Sequence, residues 1–505
     1  MVTSFSDIKR PPYGIIAILM VGAFITFLNN TLLNIALPPI MTEMKVGPSA
    51  AQWVTTGYML VNGIMIPTTA FLIEKYSVRR LFLVATGIFS IGTMLAGVTP
   101  FFSLLIIARM VQAIGGAIMM PLLMNVLLVS FPIEKRGTVM GIFGFILMFA
   151  PAIGPTLSGF IIEQFHWRAL FFLIAPVAVI VFISGFFLLK DHKHRPDLRL
   201  DKLSLLLSSI GFGSLLFGFS MAGEFGWFNP FVFFPIVLGV FVLLLFSIRQ
   251  VKLEKPMLNF AVFQYPMYNL SLFIIMVVQI AMFSGVLLIP IDVQMVLGVM
   301  PMQAGLLMLP GALVNAVMSP INGKLFDRFG GRILAVIGLT VITLSTFYFS
   351  QLTVNSHPYA VMILHTIRMF GMSMVMMPVQ TNGLNQLPRK LYPHGTAMNN
   401  TLIQVTAALG TGLMITIMRM KEKSSLQSFS ERYGNFSTLS PELQERLTIQ
   451  AMVEGINAAF FVSALFALLA LIFAFFMKRA YPDEYDASGK ATELKKPLSS
   501  KSLNT

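Results

Sequence analysis

The chain has 505 residues, 56% of them apolar, with 46 Phe, a mean hydropathy of +0.80 and no cysteine. The apolar share exceeds the 45–50% of soluble domains, which excludes a soluble globular protein, and the missing thiols exclude cysteine nucleophiles, disulfides and thiolate metal sites. A net charge of +14 would suggest nucleic acid in a soluble protein, so where the Lys and Arg fall decides what it means.

A bilayer-spanning helix needs about 20 mostly apolar residues. Fourteen such runs are legible: 14–39, 51–73, 81–99, 102–130, 138–162, 168–189, 203–222, 231–248, 267–296, 302–323, 333–352, 358–385, 394–418 and 452–477. The lead before Tyr13 is too polar for a cleaved signal and the first run too long for one, so that run reads as a retained span. The tail after Ala480 reads as disordered. Of the 35 Lys and Arg, 26 fall in the lead, the even-numbered connections and the tail, and seven on the opposite side. This is the positive-inside pattern: both termini are expected in the cytoplasm, and the basic balance reports topology rather than nucleic-acid binding.

The six His form no metal-ligand spacing, and Gly323-Lys324 is followed by Leu325, so no phosphate-cradling GxxxxGK[ST] exists. No catalytic constellation appears in the loops. The expectation is a protein that is not an enzyme, holds no metal or cofactor, and draws work from an ion gradient or a partner.

An internal repeat carries the next step. Residues 70–80, AFLIEKYSVRR, match 323–333, GKLFDRFGGRI: Leu72 with Leu325, Glu74 with Asp327, Lys75 with Arg328, Ser77 with Gly330 and Arg79 with Arg332. Each copy joins two spans on the basic side. Basic turns alone do not require an acid at the same place in both halves.

Residues 323–332 resemble the G-x-L-x-D-R-x-G-x-R loop of the major facilitator superfamily at every fixed position, whereas the first copy has Ala70, Glu74 and Ser77 in place of Gly, Asp and Gly. Residues 28–38, LNNTLLNIALP, together with 53–60, WVTTGYML, and 167–176, WRALFFLIAP, are similar to landmarks of the fourteen-span drug:proton antiporters of that family. The resemblance implies an all-α polytopic membrane protein, two six-helix bundles plus two inserted helices. It also implies a conformational latch in which Glu74, Arg79, Asp327, Arg328 and Arg332 hold the halves together, each acid meeting a helix N-terminus and pairing with motif arginines. In span 5, Gly141, Gly154, Pro155 and Gly159 stand at positions of the family's antiporter motif, with Ala150 and Ser158 in two glycine places; small residues let helices approach and Gly-Pro bends them.

Arg109 lies within the lipid depth, where a guanidinium costs at least ~2.5 kcal/mol. With Gln112 it resembles the family's R-x-x-Q-G element, which implies a part in proton coupling, but Asn29 stands where the usual acidic partner would be. Hydrogen bonding of Arg109 to carbonyls and Asn29 is the alternative, and Arg368 reads as its structural counterpart. Asp292, near the outer end of span 9 beside Pro290, is the remaining candidate proton carrier, since apolar neighbours make its charged form costly. Polar residues at helical spacing point to a neutral cavity lined by Asn29, Asn30, Asn34, Asn62, Gln279, Asn315, Gln380, Asn399 and Gln404. The methionines at 369, 372, 374, 376 and 377 could give it an adaptable apolar wall or simply fill the core.

The expected organisation is a first bundle at 14–189 and a linker at 190–266 with two extra spans and an amphipathic interfacial segment at 249–263. A second bundle follows at 267–477 with a polar outer loop at 419–450, then a tail at 478–505. The function expected is proton-coupled efflux of amphipathic, neutral or weakly cationic drugs by a monomer in the cell membrane. Export or flipping of an endogenous lipid or fatty acid is the alternative, and a non-transporting receptor or scaffold the remote one.

Overall fold

The computed structural model describes residues 13–189, 200–433 and 439–481, and only the backbone at 34, 35, 48, 49, 52, 155, 301 and 433. The lead, most of the charged segment 190–202, the tail beyond 481 and the side chains of Asn34 and Pro155 therefore lie outside the described residues.

Within those residues are fourteen helices long and apolar enough to cross a membrane. In lipid every backbone group must bond within its own segment, so nearly uninterrupted apolar runs become helices. These are α1 (Tyr13–Met44), α2 (Pro48–Lys75), α3 (Val78–Val98), α4 (Phe102–Ser130), α5 (Ile133–Gln164), α6 (Ala169–Leu188), α7 (Lys202–Phe225), α8 (Pro230–Lys252), α9 (Pro266–Ile291), α10 (Pro301–Phe329), α11 (Gly331–Phe349), α12 (Pro358–Asn385), α13 (Tyr392–Tyr433) and α14 (Pro441–Ala474). Pro opens α2, α8, α9, α10, α12 and α14, where its missing N–H costs nothing.

The two signature loops turn by different means. Ser77 caps α3 by accepting the Arg80 N–H at 3.2 Å. Gly330 links α10 to α11 at φ +81°, a conformation that a side chain disfavours.

The repeat extends to packing. α3 rests on α4 and α6 as α11 rests on α12 and α14, and α1 on α5 as α9 on α13. The bundles meet along two equivalent seams, α5 with α10 and α2 with α13, while α7 packs on α8 and also touches both α2 and α13. The end carrying the signature loops is called the basic end below, and the other the far end.

One segment departs from expectation and another gains detail. The expected polar loop at 419–450 is helical at 419–433, the end of α13, and at 441–450, the start of α14; Leu426 and Phe429 on one and Leu443 and Leu447 on the other, spaced three or four apart, give the pair a small core. The segment 249–263 has two faces, with Val251, Lys252, Glu254, Lys255 and Phe263 exposed. Past Lys252 it leaves the helix, and Met257, Leu258 and Val262 are buried, the first two against Phe71 of α2 and Met398 of α13.

Candidate functional site

At the basic end Asp327 of α10 crosses to the first turns of α5. Its Oδ1 accepts the Gly137 N–H at 2.7 Å, and its Oδ2 accepts the Thr138 N–H at 2.8 Å and hydroxyl at 2.5 Å. A carboxylate suits the positive end of a helix. Below it the helices touch backbone to backbone: a Cβ on Gly323 would collide with the Gly137 carbonyl, and one on Gly141 would stand 2.5 Å from the Ser319 carbonyl. Arg136 adds a bond to Asn385 Oδ1 at 2.9 Å and lies over the Tyr392 ring.

Glu74 occupies the equivalent seam, with Oε1 3.4 Å from Nε2 of His394 near the start of α13. His394 Nδ1 accepts the Asn259 N–H at 3.2 Å. Among the described residues no motif arginine forms an ion pair with Asp327. Arg79 donates to the Phe186 carbonyl at 3.1 Å and stacks on that ring. Arg328 and Arg332 are exposed, and among the described residues neither forms an ion pair with Asp327, whose carboxylate is turned toward α5. Arg479 donates to the Asp327 carbonyl at 2.7 Å.

The antiporter-motif residues serve two different interfaces. Gly141 faces α10, whereas a Cβ on Gly154 would collide with Thr31 of α1, and Ser158 donates to the Leu32 carbonyl at 2.6 Å. Gly159 has nothing within 4 Å of a Cβ position, so the close packing read from it is not found.

Arg109 is fully buried. Its Nη1 donates to Gln112 Oε1 at 2.8 Å, Nη2 to Asn30 Oδ1 at 3.3 Å and Nε to the Val54 carbonyl at 3.3 Å, and its guanidinium lies 4.3 Å from the Tyr58 ring centre. The amide that meets it is therefore Asn30, while the Asn29 Nδ2 is buried without a partner. Arg368, equally buried, donates to the Ala281 carbonyl at 2.7 Å, Ser284 Oγ at 3.3 Å and Thr346 Oγ1 at 3.1 Å. Its Nη1 fills the place of a Cβ on Gly285 and has no partner.

The remaining amides come from both bundles. Gln380 of α12 donates to Met124 Sδ of α4 at 3.7 Å, bridging the halves, and Asn315 to Met369 Sδ at 3.6 Å. Asn125 Oδ1, Gln279 Oε1, Asn399 Nδ2 and Asn400 Nδ2 are buried and unpaired. Asn62 approaches the Tyr58 hydroxyl, and Gln404 is half-buried. Met369, Met372 and Met374 are core residues; Met377 packs against Gly144.

Asp292 is completely buried, and among the described residues neither carboxylate oxygen has a hydrogen-bond partner. It opens a turn of π-helix, Asp292–Val296, whose wider ring is closed by the Leu297 N–H on the Asp292 carbonyl at 3.0 Å. π-turns concentrate at functional sites, and an unpaired buried polar group costs about 1–3 kcal/mol, more if charged.

Sequence reading missed Thr138, His394 and Asn385, the partners at the basic end. It also missed the Glu43 cluster at the far end, where Trp167 Nε1 donates at 2.6 Å and Arg168 and His166 close in. Burial raises the Glu43 pKa, but these donors outweigh it and hold the carboxyl below its ordinary value.

The Major Facilitator Superfamily model matches residues 19–411. The chain is 43% identical to the uncharacterized MFS-type transporter YcnB of Bacillus subtilis, over 94% of this chain and 97% of that one. It is 40% identical to the lincomycin resistance protein LmrB of the same organism, over 92% and 95%. Among solved structures, the human organic anion transporter MFSD10 superposes with a TM-score of 0.65 at 10% identity, covering 92% of this chain and all of that one.

Proposed function

Because the chain belongs to the Major Facilitator Superfamily, whose members are membrane transporters and not enzymes, we propose that it exports amphipathic, neutral or weakly cationic compounds in exchange for protons. The observation that carries alternating access is the Asp327 junction. Three hydrogen bonds and a glycine seam close the basic end of the contact between the two bundles, and both are non-covalent contacts that rocking can break.

The basic end faces the cytoplasm in this reading, with both termini there, and the protein works as a monomer in the cell membrane; the 26 basic residues on one side support that orientation. Glu74 and Asp327 latch the halves. The buried amides, with Arg109 held by Asn30 and Gln112, form a neutral-to-positive polar interior for solute. Asp292 carries the proton: it is buried, has no partner among the described residues, and sits on a π-turn that a small rearrangement can re-form. Arg109 serves as a fixed charge coupled to it through the rocking of the halves.

Relatives that include a lincomycin resistance protein support a drug as the exported solute. The test is growth of a sensitive host with and without the protein across a panel of antibiotics. Raised tolerance to several amphipathic drugs, abolished by a protonophore, is the expected result. Unchanged tolerance together with altered membrane lipid distribution would replace the drug with an endogenous lipid, and no effect on either would remove export.

A further inference from the structure

The inserted pair α7–α8 is attached unequally to the two bundles. At the far end Trp227 Nε1 donates to Thr416 Oγ1 at 2.9 Å, and Arg419 Nη1 donates to the carbonyls of Gly223 at 2.8 Å and Glu224 at 3.1 Å. At the basic end the Asn259 N–H, on the segment leaving α8, donates to His394. That segment is itself fastened to the pair: Gln250 accepts the Leu258 N–H at 3.1 Å and donates to Ser204 at 2.6 Å. Asp201 binds Arg249 at 2.6 and 3.0 Å, and this arginine, together with Ser204, holds the Asp201 carboxyl well below the usual range despite partial burial.

Thr416, Arg419 and His394 all belong to α13, so hydrogen bonds fasten both ends of the insertion to the second bundle. Between them the backbones are close: a Cβ on Gly412 would stand 2.7 Å from the Phe219 carbonyl, and one on Gly223 would stand 3.0 Å from Ile415 Cβ. Against α2 of the first bundle, α7 rests on side-chain tips. Leu216 covers Gly63, Ile64 covers Gly213, and Phe217 stacks on Trp53 with ring centres 6.1 Å apart. Directional bonds hold one register; methyl and ring contacts are non-directional and re-form in another.

Beside the α2–α7 seam, a groove of about 680 Å³, within the size of drug-binding sites, runs between α7 and α8 and is edged by α2. Leu60 of α2 lies on one side, and Phe217, Phe234, Leu238 and Phe241 form the rest, with Ser214 the sole polar residue in the lining. Phe234, Leu238 and Phe241 are exposed at the surface, where the bilayer lies. One helix separates this groove from the buried Arg109 site, because Tyr58, two residues before Leu60 on α2, stacks on the Arg109 guanidinium.

We propose that α7–α8 travel with the second bundle, that α2 slides along α7 as the bundles rock, and that the α7–α8 groove beside this seam seats the apolar body of a neutral, bilayer-soluble amphiphile passing between the interior and the membrane. The occupant rests on the export reading above; the sliding does not. Opening the one seam made of side-chain tips connects the groove to the Arg109 site without breaking a hydrogen bond of the insertion.

The chain has no native cysteine, so paired cysteines read the seams directly. Gly223→Cys with Ile415→Cys reports α7 against α13, and Gly63→Cys with Leu216→Cys reports α7 against α2. Each pair is oxidised in the otherwise native chain and with Asp327→Asn, which loosens the basic end. The α7–α13 yield should not change, and the α2–α7 yield should fall about threefold or more as the population shifts. An unchanged α2–α7 yield, or a loss at α7–α13, overturns the sliding whether or not the protein exports anything.

The occupant is tested with Ser214→Trp, which fills the groove, in phosphatidylcholine proteoliposomes. Transport of the neutral lipophilic dye N-phenyl-1-naphthylamine should fall about tenfold, with transport of water-soluble lincomycin within about twofold. Dye transport that survives makes the groove a seat for lipid chains alone, and equal loss of both probes makes the substitution a general defect; either overturns the assignment. A native protein that moves neither probe refutes the export reading and the occupant with it, while the cross-links still judge the seam.

Discussion

The two seams between the bundles descend from one duplicated arrangement, yet they are built differently. At α5–α10 the backbones touch through Gly137, Gly141 and Gly323, and Asp327 bonds to amides and a hydroxyl of the facing helix. At α2–α13 the position matching Gly323 is Ala70, and Glu74 replaces Asp. Ala70 and Phe71 there pack with Ala397, Met398 and the segment that follows α8, and Glu74 meets a histidine side chain. The first copy thus lies in a side-chain-packed seam that the insertion also touches, and the second in a seam of direct backbone contact.

If that contrast is right, the largest effect should come from Gly323→Val. Its side chain has no room against the Gly137 carbonyl, and overpacking of this kind costs about 1–3 kcal/mol or more, so transport should fall more than about tenfold at normal membrane expression. Ala70→Gly, the equivalent position, should stay within about twofold. Equal effects at the two positions would erase the contrast.

Asp327→Asn comes next. It leaves the shape but weakens three charge-assisted bonds, each worth about 1.5–3 kcal/mol, and should lower transport severalfold while widening the spin-label distance between the basic ends of α5 and α10. Glu74→Gln, which faces one histidine at 3.4 Å, should cost about twofold, in line with weaker, partly exposed pairs. The smallest effect belongs to Arg328→Gln and Arg332→Gln, exposed and unpaired with Asp327, where transport should change by less than about twofold. A loss as large as that of Asp327→Asn would restore the arginines to the latch.

The sequence displayed the fold more fully than the site, and for a physical reason. A span announces itself by some twenty consecutive apolar residues, so all fourteen helices were legible. The partners of site residues leave no such local trace. Asp327 reads as an acid near a turn, but its partners Gly137 and Thr138 lie 190 and 189 positions away. Asn29 and Asn30 are neighbours in sequence about 100° apart on a helix, and only packing decided that Asn30 meets Arg109. The methionines of α12 carry no sign of whether they face a cavity or a core. The 419–450 segment misled because its charges resemble a loop, although its leucines already recur at helical spacing.

Proton-driven export is tested most directly in proteoliposomes with an imposed pH gradient, comparing the native chain with Asp292→Asn. The native protein should accumulate lincomycin against its concentration gradient and lose that accumulation when a protonophore collapses the pH difference, and Asp292→Asn should still bind the drug but accumulate none. Native accumulation that survives the protonophore would contradict proton coupling, and native-like accumulation by Asp292→Asn would remove Asp292 as the carrier.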